Sequence, residues 1–144
     1  MITCREATPD DIISILDLES RSMKHPWGED DIRSLVTSSG KFAIVAQADS
    51  SPIAYVGASY VLDECEIGNI CTHPDFRRQG AAKALLEMLF TKCKSLGITK
   101  VFLEVSSVNY GAISLYEKLG FTKYNMRKDY YGKGDDALLF VYEI

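Results

Sequence analysis

The spacing of apolar residues predicts one strand and two helices in the first quarter of the chain. Residues 3–7 have the pattern of a short strand. Pro9 and the two acids after it then begin a helix over about 9–23, because acidic side chains favour the positive end of the helix dipole. A Pro-Trp-Gly break at 26–28 separates this helix from a second, shorter one at 29–36.

The middle of the chain has the composition of consecutive strands. Three runs rich in apolar and β-branched residues, at 42–46, 53–62 and 66–72, are separated by short polar turns. Strands joined by such turns pair with their sequence neighbours, so these runs predict an antiparallel meander.

The last part of the chain alternates between helical and strand patterns. The predicted elements are a helix at 79–97, a strand at 100–105, a helix at 110–119 that Asn109 caps, and strands at 121–129 and 137–143 around a loop at 130–135. The order β-α-α-β-β-β-α-β-α-β-β predicts the α/β class, with one mixed sheet and helices on both faces. No linker or repeat interrupts it, so residues 1–144 are expected to form one domain.

Composition narrows the classes of function. The 144 residues include 47% apolar and 25% charged residues, which is typical of a globular domain. Sixteen Lys and Arg against 20 Asp and Glu give a net charge of −4, which disfavours direct nucleic-acid binding. The chain lacks an apolar run of about 18 residues and a secretory signal pattern, so no membrane association and a cytoplasmic location are expected.

The cysteines and histidines do not form a metal-binding pattern. The four cysteines, Cys4, Cys65, Cys71 and Cys93, include no C-x-x-C pair, and only His25 and His73 could add imidazole ligands. Structural zinc sites need closer spacing. We therefore expect no metal and four free thiols in a reducing compartment.

Residues 73–82 join a predicted strand to the longest helix and combine the features of an anion site. The small residues at 80–82 allow a ligand to approach the backbone closely. The helix N-terminus supplies unpaired N–H groups, and Arg77 and Arg78 lie at the same end. Two solvated arginines without a ligand are the alternative. The segment is neither a Walker A loop nor a dinucleotide fingerprint.

The pattern Arg77-x-x-Gly80-x-Ala82 resembles the Q/R-x-x-G-x-G/A acyl-coenzyme-A loop of the GNAT superfamily of N-acetyltransferases. The resemblance extends over nearly the whole chain and is strongest to the ribosomal-protein-alanine N-acetyltransferases. The matching segments are His25-Pro26-Trp27, Val61-Leu62-Asp63-Glu64, Asn69-Ile70, Arg78-Gln79-Gly80, Leu103-Glu104-Val105, Asn109, Leu115-Tyr116-Glu117-x-Leu119-Gly120-Phe121 and Tyr130-Tyr131.

The resemblance implies a single GNAT-fold domain with a mostly antiparallel mixed sheet, a splayed parallel pair at the acetyl-CoA site, and about four flanking helices. Acetyl-CoA is the implied co-substrate. The implied coenzyme contacts are Ile70, Cys71, Thr72, Arg77, Arg78, Gln79, Gly80, Ala81, Ala82, Lys83 and Asn109. Cys71 would lie near the thioester, where a small buried hydrophobe is favoured over a nucleophile.

Acetyl transfer needs a base for the amine and a proton for the departing thiolate. Alternation places Phe102 and Glu104 on one face of a strand, and the strand alone favours a solvent-exposed carboxylate. The resemblance instead implies that Glu104 is the catalytic base. Helical periodicity makes Tyr116 a core aromatic, whereas the resemblance implies that it donates a proton to the coenzyme sulfur.

The resemblance also implies an acceptor groove with two walls. Tyr130 and Tyr131, on the predicted loop with Asp135 and Asp136, would form one wall, and Trp27 would form the other. The alternatives are a solvated turn for the tyrosines and a core position for Trp27.

The acceptor is predicted from amine chemistry and from the resemblance. An α-amine, with a pKa near 8, is about a tenth neutral at pH 7, whereas a lysine with a pKa near 10.4 is almost fully charged. The first hypothesis is acetylation of the N-terminal alanine of small-subunit ribosomal protein number eighteen, by direct transfer. The alternatives are a lysine, polyamine or other small amine as acceptor, or a coenzyme-binding module without catalysis. The sequence predicts no oligomeric state.

Overall fold

The structure, a computed structural model, describes residues 1–144, and its elements follow the order that the sequence predicts. The strands are β1 (Ile2–Glu6), β2 (Lys41–Ala48), β3 (Ser51–Val61), β4 (Glu64–Thr72), β5 (Lys100–Ser106), β6 (Thr122–Gly132) and β7 (Asp135–Glu143). The helices are α1 (Ile12–Ser22), α2 (Glu29–Thr37), α3 (Ala81–Ser95) and α4 (Tyr110–Leu119), with short 3₁₀ helices at Pro9–Asp11 and Pro74–Phe76.

All seven strands form one sheet in the order β1-β2-β3-β4-β5-β7-β6. The predicted meander of β2, β3 and β4 is confirmed, because each of these strands pairs antiparallel with the next, and β1 pairs antiparallel with β2. The last strand, β7, inserts between β5 and β6, so β6 lies at the edge. The fold is therefore the expected mixed sheet with one parallel pair.

That parallel pair, β4 and β5, is joined over only three residues of each strand. Glu64 to Glu66 pair with Lys100 to Phe102, after which both strands continue without pairing to each other. A β-bulge at Gly68 accompanies this divergence, since Gly57 pairs with Asn69 but its neighbour pairs with Ile67. The result is a gap that widens between the C-terminal halves of β4 and β5.

Helices cover both faces of the sheet and produce two cores. The larger core packs α3 and α4 on one face, with the fully buried Leu85, Leu86 and Leu89 at its centre. The smaller core packs α1 and α2 on the other face, around Ile15 and Tyr55. These helices cover β2, β3 and β4, so this face of β5, β7 and β6 has no helix on it.

The bounds of α4 agree with the prediction because both ends are encoded locally. The Asn109 side chain accepts a hydrogen bond from the Ala112 N–H at 3.3 Å, which caps the helix start. Gly120 ends the helix with φ +106°, a left-handed conformation that favours glycine.

The predicted loop at 130–135 is wrong. Tyr130 and Tyr131 belong to β6, the acids at 135–136 belong to β7, and the turn between the strands contains only Lys133 and Gly134. The Asp129 carboxylate accepts the Gly134 N–H at 2.8 Å, and this local bond closes the hairpin. The ladder is interrupted between Arg127 and Gly132, so the tyrosines occupy an irregular part of the strand.

All four cysteines are free, and three of them are buried. None of the helices combines the length and the apolar character that crossing a membrane would require.

Candidate active site

The gap between β4 and β5 opens into a cavity of about 620 Å³, within the usual range for small-molecule sites. Its wall is built from four parts of the chain: the end of α1, the end of β4, the loop before α3 and the start of α4. The lining residues are Ser22, Met23, Ile70, Cys71, Thr72, Arg77, Arg78, Gly80, Ala82, Lys83, Asn109, Gly111, Ala112, Leu115 and Tyr116.

One end of this cavity suits a polyphosphate. Arg77, Arg78 and Lys83 supply positive charge, and no acid lies in the first turn of α3. Gly80 is the N-cap of α3 with φ +87° and provides no side-chain cap, so the first N–H groups of the helix have no side-chain acceptor there. Arg78 is also left-handed, with φ +62°, which is strained for a residue with a Cβ.

The strand side of the cavity is formed by Ile70, Cys71 and Thr72 of β4. Cys71 is almost fully buried, and burial, with a smaller effect from the negative charge of Glu19, raises the pKa of its thiol. A thiol that stays protonated is a poor nucleophile. The local environment therefore favours a packing role for Cys71 over a nucleophilic one.

Tyr116 is the aromatic residue of the cavity wall. It is 5% exposed, and its ring packs against Phe121 and Phe140, with centroids 5.7 and 6.5 Å away. Burial raises the pKa of its hydroxyl to about 12. Tyr116 is thus both a core aromatic, as its periodicity predicts, and a protonated O–H at the site.

Glu104 lies outside the cavity wall, on the opposite face of β5. The side chains of Val101, Leu103 and Val105 point into the larger core, and Glu104 alternates with them. Its carboxylate is 32% exposed and lies 3.4 Å from the Arg127 guanidinium of β6. The carboxylate therefore faces the side of the sheet that no helix covers.

Tyr130 and Tyr131 stand beside Glu104 and Arg127, and these four residues are named the hairpin cluster. The Arg127 guanidinium lies 5.4 Å from the centre of the Tyr130 ring, and the two tyrosine rings are edge to face at 5.1 Å. The pKa of Tyr131 is raised by partial burial and then by the negative charge of Glu104. Both tyrosines are about half exposed, so the cluster is accessible.

Trp27 lies in the connection between α1 and α2, on the same face of the sheet as the hairpin cluster. It packs at the margin of the smaller core and covers Gly68 at the bulge of β4. A Cβ at position 68 would come within 2.7 Å of the Trp27 ring, so glycine is required for this contact. Trp27 therefore packs on the smaller core and also lies next to β4, where this strand diverges from β5.

The structure brings together most, but not all, of the residues selected from the sequence. Of the implied coenzyme contacts, Gln79 and Ala81 do not line the cavity: Gln79 is exposed to solvent, and Ala81 is buried in the larger core. Glu104, Trp27, Tyr130 and Tyr131 lie outside it.

Several residues of the site are not predicted from the sequence. Helical spacing from Asn109 and Tyr116 could have indicated Ala112, which lies on the same face of α4. Arg127 and the end of α1 at Ser22 had no local signal, because their positions depend on strand pairing and helix packing.

Comparisons with known proteins agree with this architecture. Residues 12–121 match the family model of the acetyltransferase (GNAT) family. The ribosomal protein bS18-alanine N-acetyltransferase of Escherichia coli (strain K12) is 33% identical, with 93% of this chain and 92% of that protein aligned. An N-alpha-acetyltransferase of Saccharolobus solfataricus is 30% identical, with 96% and 91% aligned. The crystal structure of the Escherichia coli ribosomal-protein-alanine N-acetyltransferase has a TM-score of 0.92 at 30% identity, covering 100% of this chain and 94% of that one.

The chain belongs to the acetyltransferase (GNAT) family. It is an acetyl-CoA-dependent acetyltransferase, and acetyl-CoA is its co-substrate. The cavity fits that co-substrate, because cationic side chains and the N-terminus of α3 are available for its phosphates and the open edge of β4 for its extended arm.

Proposed function

We propose that this chain acetylates the N-terminal amine of a protein, and that its acceptor is the N-terminal alanine of ribosomal protein bS18. The observation on which this depends is the gap between β4 and β5, with Tyr116 of the cavity wall on one face of the sheet and the hairpin cluster on the other. An acceptor and acetyl-CoA can then approach the same gap from opposite faces. The name of the relative at 33% identity supports bS18 alanine as the acceptor, and the name of the relative at 30% identity supports an N-terminal amine.

The coenzyme would be held by charge and by backbone groups. Arg77, Arg78 and Lys83, with the uncapped N-terminus of α3, would bind its phosphates. Residues 70–72 of β4 would pair with its extended arm, and Asn109 would contact it at the start of α4. The thioester would then lie in the gap, between Tyr116 on one side and the hairpin cluster on the other.

Proton transfer would involve one residue from each face. Glu104 would take a proton from the acceptor amine, directly or through a water, as the new C–N bond forms. Tyr116 would donate its proton to the sulfur as the C–S bond breaks. A phenol with a pKa of about 12 gives a proton to a thiolate of pKa about 8.5 only uphill, so Tyr116 must be close to the sulfur and must recover its proton.

The arrangement favours an α-amine over a lysine. At neutral pH about a tenth of an α-amine is already neutral, whereas a lysine is almost fully charged, so a single exposed carboxylate has the lighter task with an α-amine. Tyr130 and Tyr131 on one side, and Trp27 on the other, would contact the first residues of the acceptor. Because that acceptor is a ribosomal protein, the reaction would take place in the cytoplasm. The enzyme would recognise the acceptor through contacts with protein rather than with RNA.

Acetyl transfer to matched peptides tests this proposal. The purified chain is incubated with acetyl-CoA and with an alanine-starting peptide taken from the bS18 N-terminus, and intact mass detects one added acetyl group. The matched control has a blocked N-terminus and one lysine. We expect product only from the free N-terminus. Preferential acetylation of the blocked peptide, or of a polyamine, would establish the alternative acceptor class instead.

A further inference from the structure

Glu19, in the last turn of α1, is the only acidic residue apart from Asp11 that is buried in the structure, and its side chain has no solvent exposure. No lysine, arginine or histidine forms a salt bridge with it, whereas Asp11 is paired with Arg5. An isolated buried carboxylate is costly, and an anion in the last turn of a helix also faces the negative end of the dipole. Neither packing nor helix formation explains this residue.

Hydrogen bonds from three different segments converge on the Glu19 carboxylate. The Trp27 backbone N–H donates to Oε1 at 2.9 Å, and the Asn69 side-chain amide donates to Oε2 at 2.5 Å. The Tyr55 hydroxyl of β3 also donates to Oε2. All three groups donate here, and the Trp27 N–H and the Asn69 amide nitrogen can only donate, so a carboxylate with two acceptor oxygens satisfies all of them.

The network continues into the wall of the cavity. With its amide nitrogen directed to Glu19, Asn69 presents its own oxygen to the Ile70 N–H at 3.2 Å. One helical turn along α1, the Ser22 hydroxyl donates to the Thr72 carbonyl at 3.0 Å, and Ser22 lines the cavity as Ile70 and Thr72 do. The end of α1 is thus attached to β4 at two points, just where β4 has left β5.

We infer that Glu19 is a positioning residue for both substrates, because its carboxylate holds the bulged half of β4 and the Trp27 segment in a fixed relation to α1. This inference rests on the proposed function for its acceptor part. Without the carboxylate, the coenzyme strand at 70–72 would keep only one of its two attachments to α1, that of Ser22 to Thr72, and the Trp27 side of the acceptor groove would lose its anchor. Glu19 does not reach the reacting atoms and moves no proton.

The test uses the full chain and the variant Glu19→Gln, which keeps the size of the side chain but places a donor against donors. We expect acetyl-CoA to bind about tenfold more weakly by calorimetry and kcat/KM to fall about a hundredfold, since small displacements of a site have effects of this size. The pH dependence of kcat should not change, because Glu104 and Tyr116 are intact. All measurements are made well below the thermal midpoint of each variant.

Two further variants make the result specific. Asp17→Asn changes an exposed acid of the same helix and is the matched control, which should behave as the unmodified chain. The double variant Glu19→Gln with Asn69→Asp exchanges donor and acceptor, so that the amide introduced on α1 can donate to the carboxylate introduced on β4. It should recover much of the coenzyme affinity. If the single variant matches Asp17→Asn, or the double variant shows no recovery, the inference is wrong.

A third variant covers the case in which Glu19→Gln does not fold. Asn69→Ser leaves the bonds of Glu19 to Tyr55 and Trp27 in place and removes the bond of Glu19 to β4, together with the amide oxygen that accepts the Ile70 N–H. It should weaken acetyl-CoA binding to a similar extent, and wild-type affinity would overturn the inference. Calorimetry of acetyl-CoA binding needs no acceptor, so it tests the role of Glu19 even if the proposed function is wrong. The proposed function itself would be refuted by a chain that binds acetyl-CoA but acetylates no N-terminus.

Discussion

Glu104 and Tyr116 lie on opposite faces of the sheet. Tyr116 packs in the larger core with its pKa raised by burial, whereas Glu104 is on the open face beside Arg127. In the proposed mechanism the amine arrives on one face and the thiolate leaves on the other, which suits a base and an acid on opposite faces. Each residue can therefore be tested by itself.

Replacing Glu104 with Gln should lower kcat/KM for an alanine peptide by about a hundredfold at pH 7, because a general base contributes on this scale. The variant would use only amine that is already neutral, so its activity should increase with pH up to the α-amine pKa near 8. A pH series of initial rates measures this. Glu66→Gln, an exposed acid of β4, is the control. An unchanged rate at neutral pH would remove Glu104 from the mechanism.

Replacing Tyr116 with Phe should lower kcat about a hundredfold and leave the acetyl-CoA dissociation constant nearly unchanged, since only the hydroxyl is lost from the wall. Steady-state rates and calorimetry separate the two quantities. Tyr142→Phe is a suitable control, because that ring stacks on Phe90 at 4.1 Å away from the cavity. Equal losses in both variants would indicate a packing effect, contrary to the proposed proton donation.

At the scale of elements, α1 connects the parts of the fold at both of its ends. At its start, Arg5 of β1 makes two hydrogen bonds of 2.8 Å to Asp11, which also accepts the Thr8 N–H at 2.8 Å. At its end, Glu19 and Ser22 attach the helix to the bulged half of β4. The first attachment stabilises the fold, while the second lies beside the candidate active site.

Asp11→Asn should lower the free energy of unfolding by about 1–3 kcal/mol at pH 7, as expected for hydrogen bonds to a buried charged group. Arg5 holds the pKa of Asp11 below its usual range. The contribution of this carboxylate is therefore complete above about pH 4, where Asp titrates in the unfolded chain, and is lost as the pH falls through the lower folded-state pKa. Urea unfolding from pH 7 to pH 3 measures the difference.

The difference in unfolding free energy between Asp11→Asn and the unmodified chain should stay constant down to about pH 4 and then shrink. Asp17→Asn, whose partner Arg21 is exposed, should cost little at any pH. If Asp11→Asn lowered the free energy of unfolding by the same amount at every pH, the shape of the Asp11 side chain rather than its charge would account for its stabilising effect.

At the scale of the whole molecule, one sheet separates the two hydrophobic cores, and the sheet opens where β4 and β5 diverge. The cavity in this gap has about 620 Å³, and a second one of about 440 Å³ lies at the β3–β4 turn beside Phe102. The first has cationic residues and a helix N-terminus, whereas the second has the acids Asp63, Glu64 and Glu66. A polyanionic ligand therefore belongs in the first.

Saturating acetyl-CoA should stabilise the chain by about 2.7 kcal/mol at a hundred times its dissociation constant, which corresponds to a thermal shift of several degrees. Hydrogen exchange should show protection at 70–72, 78–84 and 109–112, which meet at the cavity. The β1–β2 pair serves as an internal control. Protection confined to the β3–β4 turn would contradict the placement of the coenzyme.

Local features of the sequence were sufficient to determine most of the elements. The Asn109 cap and Gly120 set the bounds of α4, and the glycine-alanine loop before α3 indicated an anion site, because caps and turns depend on neighbours within a few residues. The loop predicted at 130–135 failed because two strands joined by a two-residue turn have the same polar composition as a loop.

The sequence by itself thus determined the family, the order of the elements and most of the residues around the cavity. Only the tertiary structure decided that β7 lies between β5 and β6, that Glu104 faces Arg127, and that Glu19 joins α1 to β4. Strand order and the pairing of distant side chains depend on contacts far apart in the chain. A local pattern of polar and apolar residues does not specify which of several distant partners such a group will meet.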